Sequence, residues 1–335
     1  LCGYLGETYG WRYGFGAAGI GMLLGLVTFL RGQKHLHGLA DPARPAVLRE
    51  RSPLGLNKEW SIYAAAILAV VAAWRMLQFH GAVGTLLNVL AIAVLCGLIW
   101  FVVAKCNAME RSRMIVLIIL TMSSVLFWSL FEQSAASMTL FADRVMDRNI
   151  LGFKLTASQF GALNAFFIFL FAPLFAWLWT SLARRGLEPS TPVKFALGIA
   201  QAGLGFGALV LGAANPGQAG LVSGYWMVLA YLLHTAGELC LSPVGLSAVT
   251  KLAVPSVAGL MMGAWFLATA YSQHVAAQLS KLAVVDTPAG AVADVDEALA
   301  LYTNLFSSLL WTGLAIGVIL LAVSPVLHRM MRGIH

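Results

Sequence analysis

Charge is what this sequence has least of. Only 10% of its 335 residues are Asp, Glu, Lys or Arg, and 60% are hydrophobic, whereas a soluble globular domain carries about 25% charged residues. Mean hydropathy is +0.83. The shortage excludes a soluble globular protein and identifies a polytopic membrane protein. The net charge of +7 does not indicate nucleic acid, because membrane proteins concentrate Lys and Arg in their cytoplasmic loops. Cysteine is also scarce. Cys2, Cys96, Cys106 and Cys240 have no metal-ligand spacing, and three of them lie in or beside apolar stretches, which argues against a disulfide framework. There is no Walker loop, HExxH or GxSxG, so the residues give no support to ATP-driven transport or a bound cofactor. No signal peptide is visible and the first residue is Leu1 rather than Met, so the chain is expected to start partway through a longer protein.

Long apolar runs fill the rest. A hydrocarbon core of about 30 Å needs roughly 20 apolar residues per helix. Nine stretches meet that length, at 12–30, 61–79, 84–104, 113–142, 158–182, 193–214, 221–249, 257–280 and 303–327. Strand-like alternation does not recur, so the chain reads as all-α. The stretch before Gly10 reads as the tail of a preceding helix with its loop.

The loops fix an orientation. Connections 31–60, 105–113, 183–194, the turn at Lys251 and the tail 328–335 hold fifteen of the twenty-one Lys and Arg residues. The opposite connections hold five, and the acidic loop from Asp286 to Glu297 falls on that poorer side. The richer side is expected to be cytoplasmic, and the C-terminus with it. Segment 31–60 is polar and punctuated by Pro42, Pro45 and Pro53, as a linker is. The next two spans, joined by a tight turn around Gly81 and Gly84, carry few polar residues and read as a lipid-facing hairpin. Six spans follow from Arg113, the size of one half of a twelve-helix transporter.

Polar groups inside these spans are few, and each has two readings. Glu132 lies within Phe127-Trp128-Ser129-Leu130-Phe131-Glu132-Gln133-Ser134, in the middle of an apolar run. A carboxylate there costs a few kcal/mol or more, so it faces a cavity or a partner. At helical spacing Trp128, Phe131, Glu132 and Ala135 share one face. The competing reading is a structural ion pair or a buried, protonated acid. Glu238 lies one turn before Ser242-Pro243, where a proline tends to kink a helix and free a carbonyl. A capped kink with a neutral Glu is the structural alternative. His234, at i−4 from Glu238, reads as a proton relay or, more simply, as a packed and hydrogen-bonded ring.

Asn164 and Trp265 also admit plain packing. Depth joins them to the two acids. At 1.5 Å per residue, Glu132 is ~16 Å from Asp143, Asn164 ~15 Å from Lys154, Glu238 ~20 Å from Lys251 and Trp265 ~15 Å from Pro255. Four helices thus bring polar or amphipathic groups to one level near the midplane, as a shared cavity would require. Every Lys and Arg of the six-span block is close to a membrane face. A cation for these carboxylates must come from a substrate amine or from helices outside this sequence. The glycines at 198, 203, 205, 207 and 212 read as helix-contact positions.

Three blocks resemble the proton-dependent oligopeptide transporters of the major facilitator superfamily. They are Phe127-Trp128-Ser129-Leu130-Phe131-Glu132-Gln133, then Gly237-Glu238-Leu239-Cys240-Leu241-Ser242-Pro243-Val244-Gly245-Leu246-Ser247, then Met262-Gly263-Ala264-Trp265-Phe266. The opening Gly3-Tyr4-Leu5-Gly6-Glu7 and Gly10-Trp11-Arg12-Tyr13-Gly14-Phe15 resemble that family's link into its sixth helix. The resemblance implies a partial major facilitator fold of about nine transmembrane helices. Residues 1–30 would end the N-terminal bundle, 31–60 would be a cytoplasmic linker, 61–104 an inserted helix pair, and 105–335 a complete C-terminal six-helix bundle.

It further implies import of di- and tripeptides by proton symport and alternating access, in a bacterial inner membrane, with the proton as coupling ion and no cofactor. The partners implied are small peptides, protons, the bilayer and the N-terminal bundle. By resemblance Trp128, Phe131, Glu132, Asn164, Glu238, Ser242 and Trp265 bind substrate. Glu238 takes the peptide amino terminus, Asn164 its backbone, and Glu132 serves coupling and gating by pairing with basic residues of the other half. Two features depart from the family. Asn164 is followed by Ala165 where the family often has Pro, and the first five helices are absent. Other functions compatible with the residues are a family relative moving nitrate or a modified amino acid, a channel, and a membrane-embedded enzyme or assembly subunit using Glu132 and Glu238.

Overall fold

The computed structural model describes residues 1–36, 45–50, 55, 57–76, 78–217, 220–283, 295–331 and 333. They fall into two compact units, Leu1–Val89 and Leu90–His335.

The first unit holds α1 (Cys2–Tyr9), α2 (Trp11–Gly32), α3 (Pro45–Arg49), α4 (Lys58–Met76) and the opening turns of α5 (His80–Lys105). Gly10 has φ 111°, a conformation that only glycine adopts cheaply, and it turns α1 back along α2. The reversal brings helix against helix so closely that a Cβ on Gly14 would stand 2.6 Å from the Cys2 carbonyl oxygen. No side chain of α4 is buried. The hairpin turn is displaced from its expected place. Gly81 and Gly84 lie inside the first turns of α5, and α4 already ends at Met76. Much of the expected linker (37–44, 51–54 and 56) lies outside the described residues.

The second unit continues α5 and adds α6 (Ala108–Phe131), α7 (Ser137–Arg144), α8 (Ala162–Arg184), α9 (Thr191–Ala214), α10 (Gly224–Leu252), α11 (Ala258–Ser280) and α12 (Val295–Met330). Helix α6 starts at a capping box. The Asn107 side chain accepts from the Met109 and Glu110 amides, and Glu110 accepts from the Asn107 amide. Arg111 donates to the carbonyls of Val102 and Val103, satisfying the open end of α5. Helix α9 is the centre of the bundle, packed along both α10 and α12. Its glycines make those contacts possible. A Cβ on Gly198 would stand 2.8 Å from the Gly237 carbonyl oxygen, and one on Gly203 would stand 3.0 Å from the Leu310 carbonyl oxygen.

One expectation needs correcting, and a second is met with one span less apolar than the rest. First, the run 113–142 is not one helix. It is α6, a 3₁₀ turn at Glu132–Ala135 and the short α7, so Ala135 does not continue the face of Trp128 and Phe131. The polar side chains there compete for backbone groups. Thr139 Oγ1 donates to the Ser134 carbonyl and Ser137 Oγ to the Gln133 side chain, the competition that makes Ser and Thr poor in helix interiors. Second, among the described residues eight helices are both long and apolar enough to cross a membrane. The ninth, α11, has 23 residues, but Ser272, Gln273, His274, Gln278 and Ser280 make its second half too polar to qualify by composition.

Short strands also appear where none were expected. β1 (Met146–Asp147) pairs in parallel with β4 (Val222–Ser223), and β2 (Asn149–Ile150) pairs with β3 (Phe153–Lys154) across Leu151 and Gly152, both at positive φ. They pin two loops together and leave the all-α architecture intact. Of the expected acidic loop, positions up to 294 lie outside the described residues, and Asp296 and Glu297 open α12. All four cysteines are free thiols.

Candidate functional site

Glu132 is the residue at which α6 stops being an α-helix. A 3₁₀ segment in mid-span is a frequent hinge and leaves backbone groups to be satisfied from elsewhere. Neighbouring helices do so here. Gln133, wholly buried, donates through Nε2 to the Ala276 carbonyl at 3.0 Å. Its Oε1 accepts from Ser137 Oγ at 2.7 Å and Ser280 Oγ at 3.0 Å. Tyr231 Oη of α10 donates to the Ser134 carbonyl at 3.3 Å. One turn earlier, Ser129 Oγ bonds the carbonyls of Val125 and, across to α11, Ser272. The Glu132 carboxylate, half-buried, accepts from Gln273 Nε2 of α11 at 3.3 Å.

The second acid is held by another amide. Asn164 Nδ2 of α8 donates to Glu238 Oε2 of α10 at 2.8 Å and to Thr235 Oγ1 at 3.2 Å. Glu238 and Asn164 are each half-buried, and Glu132 is near enough to act on Glu238 electrostatically. Among the described residues the ion pairs are Lys58–Glu50, Arg148–Asp143 and Lys194–Glu188. None involves Glu132 or Glu238, so the structural ion pair considered for Glu132 is not formed here.

Aromatic rings frame the acids. Trp128 and Phe131 meet edge to face with centroids 5.3 Å apart, and Phe131 lies 6.2 Å from the His234 ring. The Trp128 indole N–H is buried with no protein acceptor. His234 is only 1% exposed. Its Nε2 is 2.9 Å from the Ala202 carbonyl oxygen, and its ring packs on Phe206 and against Gly205. That is the packed, hydrogen-bonded role rather than a relay.

Helix α10 runs unbroken through Pro243. Ser242 is half-buried one turn beyond Glu238. Trp265, 4% exposed, is wedged against Gly245 and the Phe195 ring at 6.3 Å. The structure therefore brings Trp128, Phe131, Glu132, Asn164 and Glu238 together. Ser242 is one turn along α10 from Glu238 with no hydrogen bond to the others, and Trp265 packs on Gly245 and Phe195 rather than on the acids. Thr235, Tyr231 and Gln273 are contacts that sequence reasoning missed. The polar stripe of α11 and the i−3 spacing of Thr235 from Glu238 were the signals available for two of them.

The arrangement is an acidic, aromatic-walled site built from four helices. Its two carboxylates are each held by a neutral amide, which suits it to receive a cation or a proton. Comparison with known proteins places the chain in a family. A family model described as the POT family matches residues 1–295. An uncharacterized transporter of Bacillus subtilis, YclF, is 38% identical over 339 residues, covering 100% of this chain and 64% of the relative. The peptide transporter YePEPT of Yersinia enterocolitica is 38% identical over 291 residues, 80% of this chain and 55% of that protein. The crystal structure of a mutant peptide transporter POT in complex with alafosfalin superposes with a TM-score of 0.78 at 35% identity, over 99% of this chain and 64% of the other. The chain thus spans 55% to 64% of the length of these relatives.

Proposed function

This chain belongs to the POT family, and on that premise we propose that it is part of a secondary active transporter importing di- and tripeptides by proton symport. The observation that carries the reading is the acid pair, Glu238 held by Asn164 across α8 and α10 with Glu132 at the break after α6. Peptides present an ammonium at one end and a polar backbone between. Glu238 receives the ammonium, Asn164 turns its amide from Glu238 to the peptide backbone, and Trp128 and Phe131 wall a side-chain pocket. Ser242 and Trp265 bound the site from α10 and α11. Glu132 carries the coupling proton when its cationic partner is drawn away, as a carboxylate in low dielectric does once unpaired.

Access alternates between two six-helix bundles. Residues 105–335 supply one bundle and 1–30 the end of the other, with the linker at 31–60 and the inserted pair at 61–104 between. The protein sits in the bacterial inner membrane with its C-terminus in the cytoplasm. The uneven distribution of Lys and Arg, fifteen against five, supports that orientation. The family assignment displaces the reading of a membrane-embedded enzyme or assembly subunit, since relatives such as YclF and YePEPT are named as transporters.

Counterflow in proteoliposomes of the complete protein tests the reading. Labelled dipeptide should exchange against internal dipeptide, and an inward proton gradient should drive its accumulation. Exchange of nitrate or a free amino acid in place of dipeptide would reassign the substrate. Absence of any exchange, with flux linear in concentration, would replace the carrier with a channel.

A further inference from the structure

Helix α11 contacts the Glu132 region through one continuous face. Ser272, Gln273, Ala276 and Ser280 follow at intervals of one, three and four residues, the repeat of a single helix side. The four meet Ser129 at the end of α6, then Glu132 and both ends of the Gln133 amide at the break. The Ser272 carbonyl accepts from Ser129 Oγ at 3.3 Å, and Gln273 Nε2 donates to Glu132 Oε1 at 3.3 Å. The Ala276 carbonyl accepts from Gln133 Nε2 at 3.0 Å, and Ser280 Oγ donates to Gln133 Oε1 at 3.0 Å. Gln133 uses both ends of its amide on this contact and is wholly buried. Gln273 lies at the exposed rim. A buried, fully bonded amide fixes geometry, because leaving either end unpaired costs the desolvation of that group.

We propose that Gln273 and Gln133 are positioning residues for the coupling carboxylate. Gln133 locks the 3₁₀ turn to α11, and Gln273 holds Glu132 through a neutral donor, so that α11 sets where the carboxylate points. This inference rests on the coupling role of Glu132 proposed above. Its consequence is directional. A shift of α11 along its axis moves the donor of Glu132 and both anchors of Gln133 together, because all lie on one face. The carboxylate therefore changes partners with that helix rather than independently of it. Glu238 is held instead from α8.

The test is the ratio of proton-driven dipeptide uptake to counterflow, measured in proteoliposomes of the complete protein for Gln273→Met, Gln133→Met and Glu132→Gln. A structural defect lowers both activities and leaves the ratio near that of the wild type. Loss of positioning lowers the ratio. About a tenfold fall is expected for Gln273→Met, the size of one hydrogen bond to a charged group. For Gln133→Met a fall of at least that size is expected. Gln273→Asn keeps the amide but falls short by one methylene, and should behave like Met rather than the wild type. Wild-type ratios in both Gln273→Met and Gln133→Met, with Glu132→Gln uncoupled, would overturn the positioning role alone. A wild-type ratio in Glu132→Gln would overturn the coupling reading on which it rests. Should Gln133→Met fail to accumulate in the membrane, Gln273→Met at the rim still decides.

Discussion

Replacing Glu238 by Gln removes a charge while sparing a contact, so its effect can be sized. In the wild type Oε2 accepts a hydrogen bond from Asn164 Nδ2 at 2.8 Å. A Gln side chain keeps an oxygen of the same reach, so the α8–α10 contact survives and the helix packing has no reason to change. The variant loses the anion that would face a peptide ammonium. A hydrogen bond to a charged group contributes about 1.5–3 kcal/mol, which corresponds to roughly 10- to 150-fold in affinity. Because Glu238 is half-buried, the attraction is neither screened as at a surface nor as strong as in a dry interior. The lower half of that range is therefore expected.

The assay is competition against labelled dipeptide in counterflow, with Ala-Ala and N-acetyl-Ala-Ala as competitors on both proteins. Glu238→Gln should weaken Ala-Ala by about 10- to 50-fold and N-acetyl-Ala-Ala by less than about threefold. An equal loss for both peptides would refute amine recognition at Glu238. The residue would then be a structural partner of Asn164.

Glu132→Gln should abolish accumulation driven by a proton gradient while leaving peptide exchange measurable in the same vesicles, and full driven uptake would rule out the coupling role. Gly198→Val should lower the apparent melting temperature in detergent or abolish expression, because its first carbon alone would stand 2.8 Å from the Gly237 carbonyl oxygen. A melting curve like the wild type would mean that α9 and α10 do not approach this closely. Lys194→Met should destabilise the bundle by about 1–2 kcal/mol, read as a shift in the same melt. Its buried ammonium pairs with Glu188 and lies 4.7 Å from the Trp179 ring centroid. Arg111→Met removes the donor to the Val102 and Val103 carbonyls, and should raise amide exchange in the last turn of α5 without altering that of α9.

The spans were legible because a bilayer demands long apolar helices, and most of their ends came within a few residues of expectation, the exceptions being the end of α6 at Phe131 and the start of α12 at Val295. Glycine contacts were legible for a related reason. Gly198 and Gly203 serve only as places where backbones touch, so their presence implies the contact. The break at Glu132 was not legible, because Phe127 to Ala142 is apolar enough to pass as one helix. Besides the local Ser137 and Thr139 bonds, the break is held by the Ala276 carbonyl on α11, which accepts from Gln133, and by the Tyr231 hydroxyl on α10, which donates to Ser134, and these two no local pattern contains. Pro243 misled in the opposite direction. It suggested an interruption, and α10 passes through it because neighbouring helices hold the segment. Trp265 stood out in sequence by its distance from the end of its span, but its packing against Gly245 did not. Depth follows from counting residues, whereas the direction of a ring depends on Gly245, twenty residues away in sequence.

Why amides and not cations hold these two acids follows from what each partner does to charge. A Lys or Arg within the bundle would neutralise its carboxylate permanently, and a visiting ammonium would then have to displace it. An Asn or Gln donates one hydrogen bond and carries no net charge, so it fixes the carboxylate in place and leaves its field nearly intact. Glu238 with Asn164 and Glu132 with Gln273 are both of this kind. The second unit therefore presents two oriented, unneutralised acids, and among the described residues it holds no ion pair to either. Such a site is oriented but unbalanced in charge. It gains most from a ligand or a helix that brings a cation, and a substrate amine at one acid with a proton or a basic side chain at the other satisfies both. That division of labour also separates the two predicted phenotypes. On the proposed reading, substitution at Glu238 should change which peptides bind, and substitution at Glu132 should change whether a gradient can drive them.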